Sequence, residues 1–493
     1  MRSKAYYAAI DLGSNSFHML VVRVVAGSVQ VVSKIKRKVR LAAGLTDDGE
    51  LSEDAKQRAI DCLRIFSDRV QDIDPSHIRA VGTATLRKIA QDKDFLAHAE
   101  NTLGHPIQII SGDEEAATIY QGIAHTTAFK GRMLVIDIGG ASTELVLGSG
   151  FTPQLLNSLD MGCVTWYSKY FNDGAINSEN TIAAINGATE TLRPFFDAYN
   201  GQQWSLVLGA SGTFKALQEI AEAKGANNTF KLQWMEQLLE QAIACGHHQQ
   251  LQIEGLADNR KAVFVSGLCI LIALCRNLTI KSLQSTSGAL REGILYSMLE
   301  PIQQQDVQLR TLHSLVANYH LDEDQSLRVF SLAENFYRQL EGQWTMPPHS
   351  LRLLRAASYL HELGLSLSYK QASSHATYML RHLDLPGFDQ AARAALIELL
   401  AATAGIIDDE KSSQFASSSQ PMRHLTRLLR LAIMCCQRRC DSSITNYQVA
   451  VNNGILTLSA TTGFFDGNPF LLSLLQDEAE QLPDGEQLQL KAR

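Results

Sequence analysis

The chain has 493 residues, which is too many for a single hydrophobic core, so roughly two to four domains are expected. It is 45% hydrophobic and 19% charged, as is usual for a soluble globular protein. The formal net charge of −7 argues against a general nucleic-acid coat protein, although it leaves room for a local basic groove.

Cysteine usage and the apolar segments bear on where the chain works. The eight cysteines are scattered and lack the paired spacing of a zinc site, which predicts reduced thiols in a cytosolic chain. The first residues reach Asp11 too early to contain the apolar core of a signal peptide. The longest apolar run, residues 264–275, is too short to span a bilayer and predicts a buried helix. We therefore expect a cytoplasmic protein that uses no membrane and no nucleic acid.

The first third of the chain alternates predicted strands and helices. Strands are predicted around residues 7–13, 18–25, 28–41, 77–85 and 106–112. Residues 52–73 predict a helix, because Ala59, Leu63, Phe66, Val70 and Ile73 recur at helical spacing. A helix is also predicted after the strand at 77–85, and another is predicted from Asp113. This order predicts an α/β domain with a mixed sheet.

The same pattern restarts at Asp137. Aligning Asp11 with Asp137 also places Gly13 on Gly139 and Ser16 on Ser142. Residues 204–220 and 282–299 then each predict a strand, a turn of small residues and a helix. The sequence therefore predicts two duplicated α/β domains, with boundaries at 1–125 and 126–305.

After residue 305 the strand pattern gives way to amphipathic helices. We predict a helical domain over 306–446 and a small α+β piece over 447–493. In the helical part, His361, Glu362 and His375 resemble a metal-binding His-Asp helix in which Glu362 has replaced the aspartate, so we predict that the metal site is lost and that His375 is structural. Three arginines at helical spacing predict a solvated helix face: Arg423, Arg427 and Arg430.

Each predicted hairpin ends a strand in an aspartate, Asp11 or Asp137. A buried carboxylate is costly unless a cation or hydrogen bonds compensate it, and the N–H groups of a Gly/Ser turn can bind phosphate oxygens. Two facing hairpins would grip a phosphate chain, with Mg²⁺ held by the carboxylates. A tight hairpin with an Asx-turn explains either turn alone, whereas the matched spacing favours phosphate binding. The P-loop pattern is absent from the glycine-rich turns.

Acidic residues open the helix that follows residue 112. Asp113, Glu114 and Glu115 complement a helix dipole, which is the ordinary explanation for acids in a first turn. A carboxylate kept ionised there could also activate water. The pattern alone does not decide between Glu114 and Glu115.

Basic residues occur in two places relevant to anion binding. Arg87 follows a predicted strand end and suits bidentate phosphate contact, although a solvated surface arginine explains it nearly as well. A two-residue period places four cations on one strand face: Lys34, Lys36, Lys38 and Arg40. This stripe is explained equally by protection of an edge strand or by docking of a polyanion.

Seven motifs, in this order, carry a resemblance over essentially the whole chain. They are AAIDLGSNSFHMLVV, GTATLR, ISGDEEA, VIDIGGASTELV, MGCVTW, GASGT and SGALREG. Together they resemble the exopolyphosphatase / guanosine pentaphosphate phosphatase family of the actin-like ATPase superfamily. The resemblance implies two duplicated actin-like (RNase H-like) domains, an all-α degenerate HD-like domain and a small C-terminal α+β piece. It also implies a homodimer.

The resemblance further implies a role for particular residues. Glu115 falls on the water-activating base, and Asp137 and Glu144 fall on the ligands of a catalytic Mg²⁺. Cys163 falls near the site without an assigned reaction, and Ala141 stands where many members carry a third glycine. The residues implied to bind phosphate are Ser14, Asn15, Arg87, Gly139, Gly140 and Ser142.

The expected activity is hydrolysis of the terminal 5′-phosphate of guanosine pentaphosphate, pppGpp, to give ppGpp and phosphate, with exopolyphosphatase side activity. A processive exopolyphosphatase is the alternative within the family, since the motifs are common to both. Alternatives from other classes are an actin-like small-molecule kinase and a non-catalytic alarmone sensor.

Overall fold

The computed structural model describes residues 5–25, 28–46, 49–129, 131–299, 306–406, 418–441, 447–483 and 485–492. The chain divides into two compact units, Met1–Val307 and Gln308–Arg493. The first is mixed α/β, as predicted, and the second is mainly helical. None of the helices in these ranges combines the length and the apolar character needed to cross a bilayer. All eight cysteines fall within these described ranges and are present as thiols.

The first sheet has five strands in the order β3-β2-β1-β4-β5. They are β1 Tyr6–Leu12, β2 Ser16–Val25, β3 Ser28–Lys38, β4 Ile78–Gly82 and β5 Ile107–Ile109. β1 pairs antiparallel with β2 and parallel with β4, so β1 and β2 form the predicted hairpin. The helices of this domain are α1 Glu53–Val70, α2 Ala84–Lys88, α3 Lys93–Leu103 and α4 Gly112–Ala124.

Helix α1 shows why the periodic pattern was informative. Ser52 caps its N-terminus by accepting a hydrogen bond from the N–H of Ala55. The predicted apolar positions within the helix, such as Leu63 and Phe66, are buried against the first sheet. The helix ends at Val70, so Ile73 lies beyond it.

The second sheet repeats the first and adds one short strand, in the order β10-β11-β9-β6-β7-β8. Its strands are β6 Arg132–Ile138, β7 Thr143–Ser149, β8 Thr152–Leu159, β9 Leu206–Ala210, β10 Phe230–Lys231 and β11 Ser282–Ser285. The order β8-β7-β6-β9-β11 matches β3-β2-β1-β4-β5, with β6 again antiparallel to the next strand and parallel to β9. The predicted duplication is therefore confirmed at the level of strand order and direction.

The second domain also contains the predicted buried helix. Its helices are α5 Cys163–Tyr170, α6 Ser178–Leu192, α7 Phe196–Tyr199, α8 Ser211–Ala223, α9 Leu232–Cys245, α10 Lys261–Asn277 and α11 Leu290–Ser297. In α10 every residue from Phe264 to Cys275 is buried. The two predicted strand–turn–helix segments are β9 with α8 and β11 with α11.

Helices α4 and α11 join the two domains through a shared apolar core. Ile119 and Ile123 of α4 pack there with Ile294 of α11 and with residues of both sheets. The helices cross so closely that a Cβ on Gly122 would collide with the carbonyl oxygen of Ala289. Because α4 carries Glu115 and α11 carries Arg291, this crossing fixes two charged side chains relative to each other.

The second unit is built on a single core. Its helices are α12 Val307–Asn318, α13 Glu323–Leu340, α14 Ser350–Leu360, α15 Ala372–His382, α16 Gln390–Ala401, α17 Gln420–Cys435 and α18 Pro469–Glu480. Its strands are β12 Gln448–Asn452, β13 Ile455–Ala460 and β14 Gln487–Ala492. Leu456 and Leu458 of the small sheet share this core with Phe336 and Leu354 of the helices. The C-terminal segment therefore packs as part of the helical unit.

The predicted solvated arginine face of α17 is wrong. Arg427 and Arg430 are buried, and Arg423 is partly buried against Glu486. Nε of Arg430 donates to Oε1 of Glu478 at 2.8 Å, and Arg427 bonds the backbone of β14. The C-terminal elements cover this face and supply the carboxylates, which local spacing could not reveal.

The His-Asp-like residues of this unit are held by hydrogen bonds and ion pairs. The Nδ1 atom of buried His361 lies 2.7 Å from the carbonyl oxygen of Ser358. Glu362 pairs with Arg439, which also donates to Asp322 at 2.7 Å. His375 is half-buried in the first turn of α15.

Candidate functional site

A cleft of about 630 Å³ lies between the two domains of the first unit. It is lined by the turns of both hairpins, the start of α8, the segment leading into α11 and the first turn of α4. The predicted site residues that line it are Ser14, Asn15, Lys34, Lys36, Glu115, Asp137, Gly139, Gly140, Ser142 and Glu144. The cleft thus gathers predicted site residues that are up to 130 positions apart in the sequence.

The two hairpin turns meet across this cleft. A Cβ placed on Gly140 would lie 3.2 Å from the Cβ of Ser14 and 3.5 Å from the backbone nitrogen of Asn15. The carbonyl of Ser14 accepts from the N–H of Ala42, and that of Gly139 accepts from the N–H of Cys163. Since C=O and N–H point in opposite directions across a trans peptide, the N–H groups of Asn15 and Gly140 point away from these partners. Donation from these two groups to an anion between the turns stays a prediction.

Asp137 and Glu144 form a pair of facing carboxylates. They oppose each other in the antiparallel register of β6 and β7, and they are only 4% and 1% exposed. Burial raises the pKa of Asp137 to about 6, and the nearby Asp11 charge adds to this, against a hydrogen bond from Ser211. Burial also raises the pKa of Glu144, together with the charges of Glu115 and Asp137. The fold therefore keeps acidic side chains where their negative charge is costly.

Glu115 is the glutamate of the first turn of α4 that enters the cleft. Ser111 caps the helix in a capping box with Glu114, whose carboxylate accepts from the Ser111 N–H at 2.7 Å and is directed outward. Glu115 is buried, and its Oε2 accepts from Nη1 of Arg87 at 2.8 Å. Burial raises the pKa of Glu115 to about 7, despite the opposing effect of Arg87. A carboxylate with a pKa near neutrality suits proton transfer at physiological pH.

Arg87 is hydrogen-bonded to Glu115 but is not itself among the residues that line the cleft. Its Nη1 also donates to the carbonyl oxygen of Ile110 at 2.8 Å, so the guanidinium is anchored at two points. This excludes the simple alternative of a solvated surface arginine. Contact between Arg87 and a phosphate stays a prediction.

The carboxylates of the cleft have the chemistry of a divalent-cation site. Carboxylate oxygens are the ligands that Mg²⁺ prefers, and burial makes the negative charges of Asp137 and Glu144 costly. Across the described chain, no three His, Cys, Asp or Glu side chains converge closely enough to hold a metal by themselves. The residues therefore fit a Mg²⁺ held by Asp137 and Glu144, with water and substrate phosphates as further ligands, which is the usual arrangement for this ion.

A group of cations faces the carboxylates. Burial lowers the pKa of Lys36 to about 8, although its side chain still reaches solvent, and the charges of Arg260, Arg291 and Lys215 lower it further. All four line the cleft. Positive charges held together in this way favour a polyanionic ligand.

Only part of the predicted basic face of β3 is present in the structure. Lys34 and Lys36 line the cleft, whereas Nζ of Lys38 donates to the carbonyl oxygen of Asn259 at 3.3 Å. Placing Arg40 on this face is wrong, because β3 ends at Lys38 and Arg40 has φ of 55°. The backbone N–H of Arg40 instead donates to the carbonyl of Asn15, which turns the chain.

Several cleft residues were absent from the predicted site. Ser211 and Arg291 lie within two of the motifs quoted above, GASGT and SGALREG, so the repeated strand–turn–helix plan was the available signal. Nothing in the sequence around Arg260 or Lys215 indicated that these residues belong to the cleft. Buried Cys163 also lines the cleft, and burial raises the pKa of its thiol to about 11, which makes it a poor nucleophile.

The duplicated sheets, the facing hairpins and the cleft between the two domains define a protein of the actin-like class with an added helical unit. A model of the Ppx/GppA phosphatase family matches residues 20–301, and a model of domain III of the Ppx/GppA phosphatase matches residues 307–479. The chain belongs to the Ppx/GppA phosphatase family.

Solved structures share the fold at low sequence identity. An exopolyphosphatase from Cytophaga hutchinsonii is 23% identical with a TM-score of 0.55, over 60% of this chain and 98% of that chain. The Aquifex aeolicus member of the Ppx/GppA family is 19% identical with a TM-score of 0.51, over 62% of this chain and 100% of that chain. An exopolyphosphatase-like protein is 20% identical with a TM-score of 0.54, over 60% of this chain and 98% of that chain.

Proposed function

We propose that the protein is a phosphoanhydride hydrolase that converts pppGpp to ppGpp and phosphate, with release of terminal phosphate from polyphosphate as a side activity. The observation that carries this proposal is buried Glu115, with a pKa near 7, in a cleft that also holds two facing turns and a carboxylate pair. Membership of a phosphatase family supports it.

The cleft supplies the groups that hydrolysis needs. The N–H groups of Asn15 and Gly140 would hold the terminal phosphate, and a water in line with the bridging bond would attack its phosphorus. Glu115 would accept the proton of that water while Arg87 keeps its carboxylate oriented. The bond from phosphorus to the bridging oxygen breaks, and that oxygen leaves with the remaining nucleotide.

Charge on the departing nucleotide would be balanced by the cations of the cleft. Lys36, Arg260 and Arg291 lie there in a chain whose net charge is −7, so the positive field is local. Bound Mg²⁺, held by Asp137 and Glu144, would supply additional positive charge at the transferring phosphoryl group.

A processive exopolyphosphatase is the second candidate. The basic group in the cleft favours any long polyanion, and the Cytophaga hutchinsonii protein of similar fold is named an exopolyphosphatase. The overall resemblance of the sequence to the bacterial guanosine-5′-triphosphate,3′-diphosphate pyrophosphatase favours the nucleotide instead.

The deciding experiment measures phosphate release from pppGpp, ATP and polyphosphates of several lengths, with and without Mg²⁺. We expect Mg²⁺-dependent release with the highest kcat/KM on pppGpp. A large preference for long polyphosphate would select the second candidate. Tight binding of pppGpp without phosphate release would identify a sensor, and phosphate transfer only to an added acceptor would identify a kinase.

The neighbouring glutamates give a matched test of the base. We predict that Glu115→Gln lowers kcat about 10²- to 10⁴-fold while pppGpp binding is kept, because general-base catalysis typically contributes that much. Glu114→Gln should leave kcat nearly unchanged, since Glu114 serves the helix cap outside the cleft. Single-turnover kinetics and equilibrium binding check both variants, and a near-normal kcat for Glu115→Gln would contradict the assigned role.

A further inference from the structure

Ser211 stands out because it holds a left-handed backbone conformation beside the carboxylate pair. Its φ is 70°, a region that glycine adopts freely and serine adopts at a steric cost. Eight non-glycine residues of the described chain have positive φ, and of these only Ser211 lines the cleft. Strain at such a position is kept where the surrounding structure makes use of it.

The sheet register explains what the turn achieves. Ala210, at the end of β9, pairs with Asp137 of β6. Since successive side chains of a strand point to opposite faces, an extended Ser211 would point away from Asp137. The left-handed turn begins α8 at Ser211 and keeps this residue in the lining of the cleft, together with Asp137.

The residue after Ser211, Gly212, lies against the side chain of Arg260. A Cβ on Gly212 would collide with the guanidinium of Arg260, so the two are in close contact. A glycine at position 211 would satisfy the backbone without strain, so only the hydroxyl accounts for a serine there.

We propose that Ser211 is a positioning residue, which donates a hydrogen bond to Asp137 and fixes its carboxylate in the orientation that receives Mg²⁺. This inference rests on the proposed function for its catalytic consequence, whereas the orientation of Asp137 can be tested with the metal alone. It adds the start of α8 to the machinery that the two hairpins provide.

Glycine and asparagine separate the hydroxyl from the backbone conformation. Ser211→Gly removes the hydroxyl and relieves the strain, so its Tm should equal or exceed that of the unchanged protein. Ser211→Asn tolerates positive φ and offers an amide donor. Calorimetric titration with Mg²⁺, without substrate, measures the effect on the carboxylate pair, and steady-state kinetics measures the effect on turnover.

For Ser211→Gly we expect the Mg²⁺ affinity and kcat each to fall about 10- to 100-fold, because a hydrogen bond to a charged group is lost. We expect KM to change less than about threefold. Ser211→Asn should recover part of both losses. Unchanged Mg²⁺ affinity in a folded Ser211→Gly protein would overturn the proposal. If the unchanged protein releases phosphate from no substrate, the proposed function fails, and the Mg²⁺ titration still decides the role of Ser211.

Discussion

The two hairpins of the first unit share a backbone plan and differ in the side chain that faces the aspartate. In the second hairpin Asp137 opposes Glu144, and in the first Asp11 opposes His18 at the equivalent position. Nδ1 of His18 lies 3.4 Å from Oδ2 of Asp11, and burial lowers the pKa of this histidine. The second hairpin therefore offers two acidic oxygen ligands, whereas the first offers one carboxylate beside a neutral imidazole.

The turns differ where they meet. The position of Ser14 in the first turn is occupied by Gly140 in the second, and the two lie against each other across the cleft. One of the pair has to be small, because a Cβ on Gly140 would already be 3.2 Å from that of Ser14. The two hairpins therefore share one turn geometry but differ in chemistry, and the glycine of one turn fits against the serine of the other.

The largest expected effect separates the two aspartates. Asp137→Asn should lower kcat/KM about 10³-fold or more, because it removes charge from the pair that we propose holds Mg²⁺. Asp11→Asn, whose partner is an imidazole, should cost about 10- to 100-fold. Steady-state kinetics over a range of Mg²⁺ concentrations checks both, with circular dichroism as the folding control. Equal losses would mean that the hairpins contribute equally to metal binding.

The buried carboxyl group of Asp137 predicts that, in the absence of metal, the free energy of unfolding depends on pH. The pKa of Asp137 is about 6 in the folded protein and 3.8 in an ordinary environment, so the folded state binds more protons between these values. The free energy of unfolding therefore falls as pH rises through this window. In Mg²⁺-free buffer at pH 8, Asp137→Asn should be more stable than the unchanged protein by roughly 1–3 kcal/mol.

Denaturant unfolding in EDTA from pH 4 to pH 8 measures this difference. It should narrow as the pH is lowered towards 4, since Asp137 is then protonated in the folded protein. Added Mg²⁺ should also narrow it by stabilising the unchanged protein. A difference that is constant with pH would show that the Asp137 charge is already compensated by other groups.

The hairpins were predictable from sequence because their signal is local and occurs twice. Asp11 and Asp137 come at the same place in two copies of one pattern, and the buried helix α10 was evident from an unbroken apolar run. The choice between Glu114 and Glu115 was different: consecutive residues point about 100° apart around a helix, and only the position of the sheets decides which enters the cleft.

The residues that sequence reasoning missed have distant partners. Arg430 is paired with Glu478, 48 residues further on, so its helical spacing suggested solvent where the structure has an ion pair. Lys215 reaches the cleft on α8, which packs against β6 and β9, and Arg260 reaches it from the turn before α10. The roles of such residues can be recognised only from the folded structure, in which the helices and strands are packed together.

A smaller loss of activity is expected when the second turn is given the serine of the first turn at the point where the two turns meet. Gly140→Ser should raise KM about 3- to 10-fold, because its side chain would push against Ser14 and move the two turns apart. Combining it with Ser14→Gly exchanges the two residues and should recover part of the loss. Kinetics of both single variants and the double variant measure the coupling, and additive effects would mean that the turns do not touch in solution.

The smallest expected effect concerns Ala141, which aligns with Asn15 of the first turn. Its methyl is buried, and its backbone does not need the positive φ that would favour glycine. Ala141→Gly should therefore leave kcat within about twofold and lower the free energy of unfolding by about 0.5–1 kcal/mol, through the greater freedom of the unfolded chain. Phosphate release and denaturant unfolding test this, and a tenfold change in kcat would show that the methyl shapes the turn that holds the terminal phosphate.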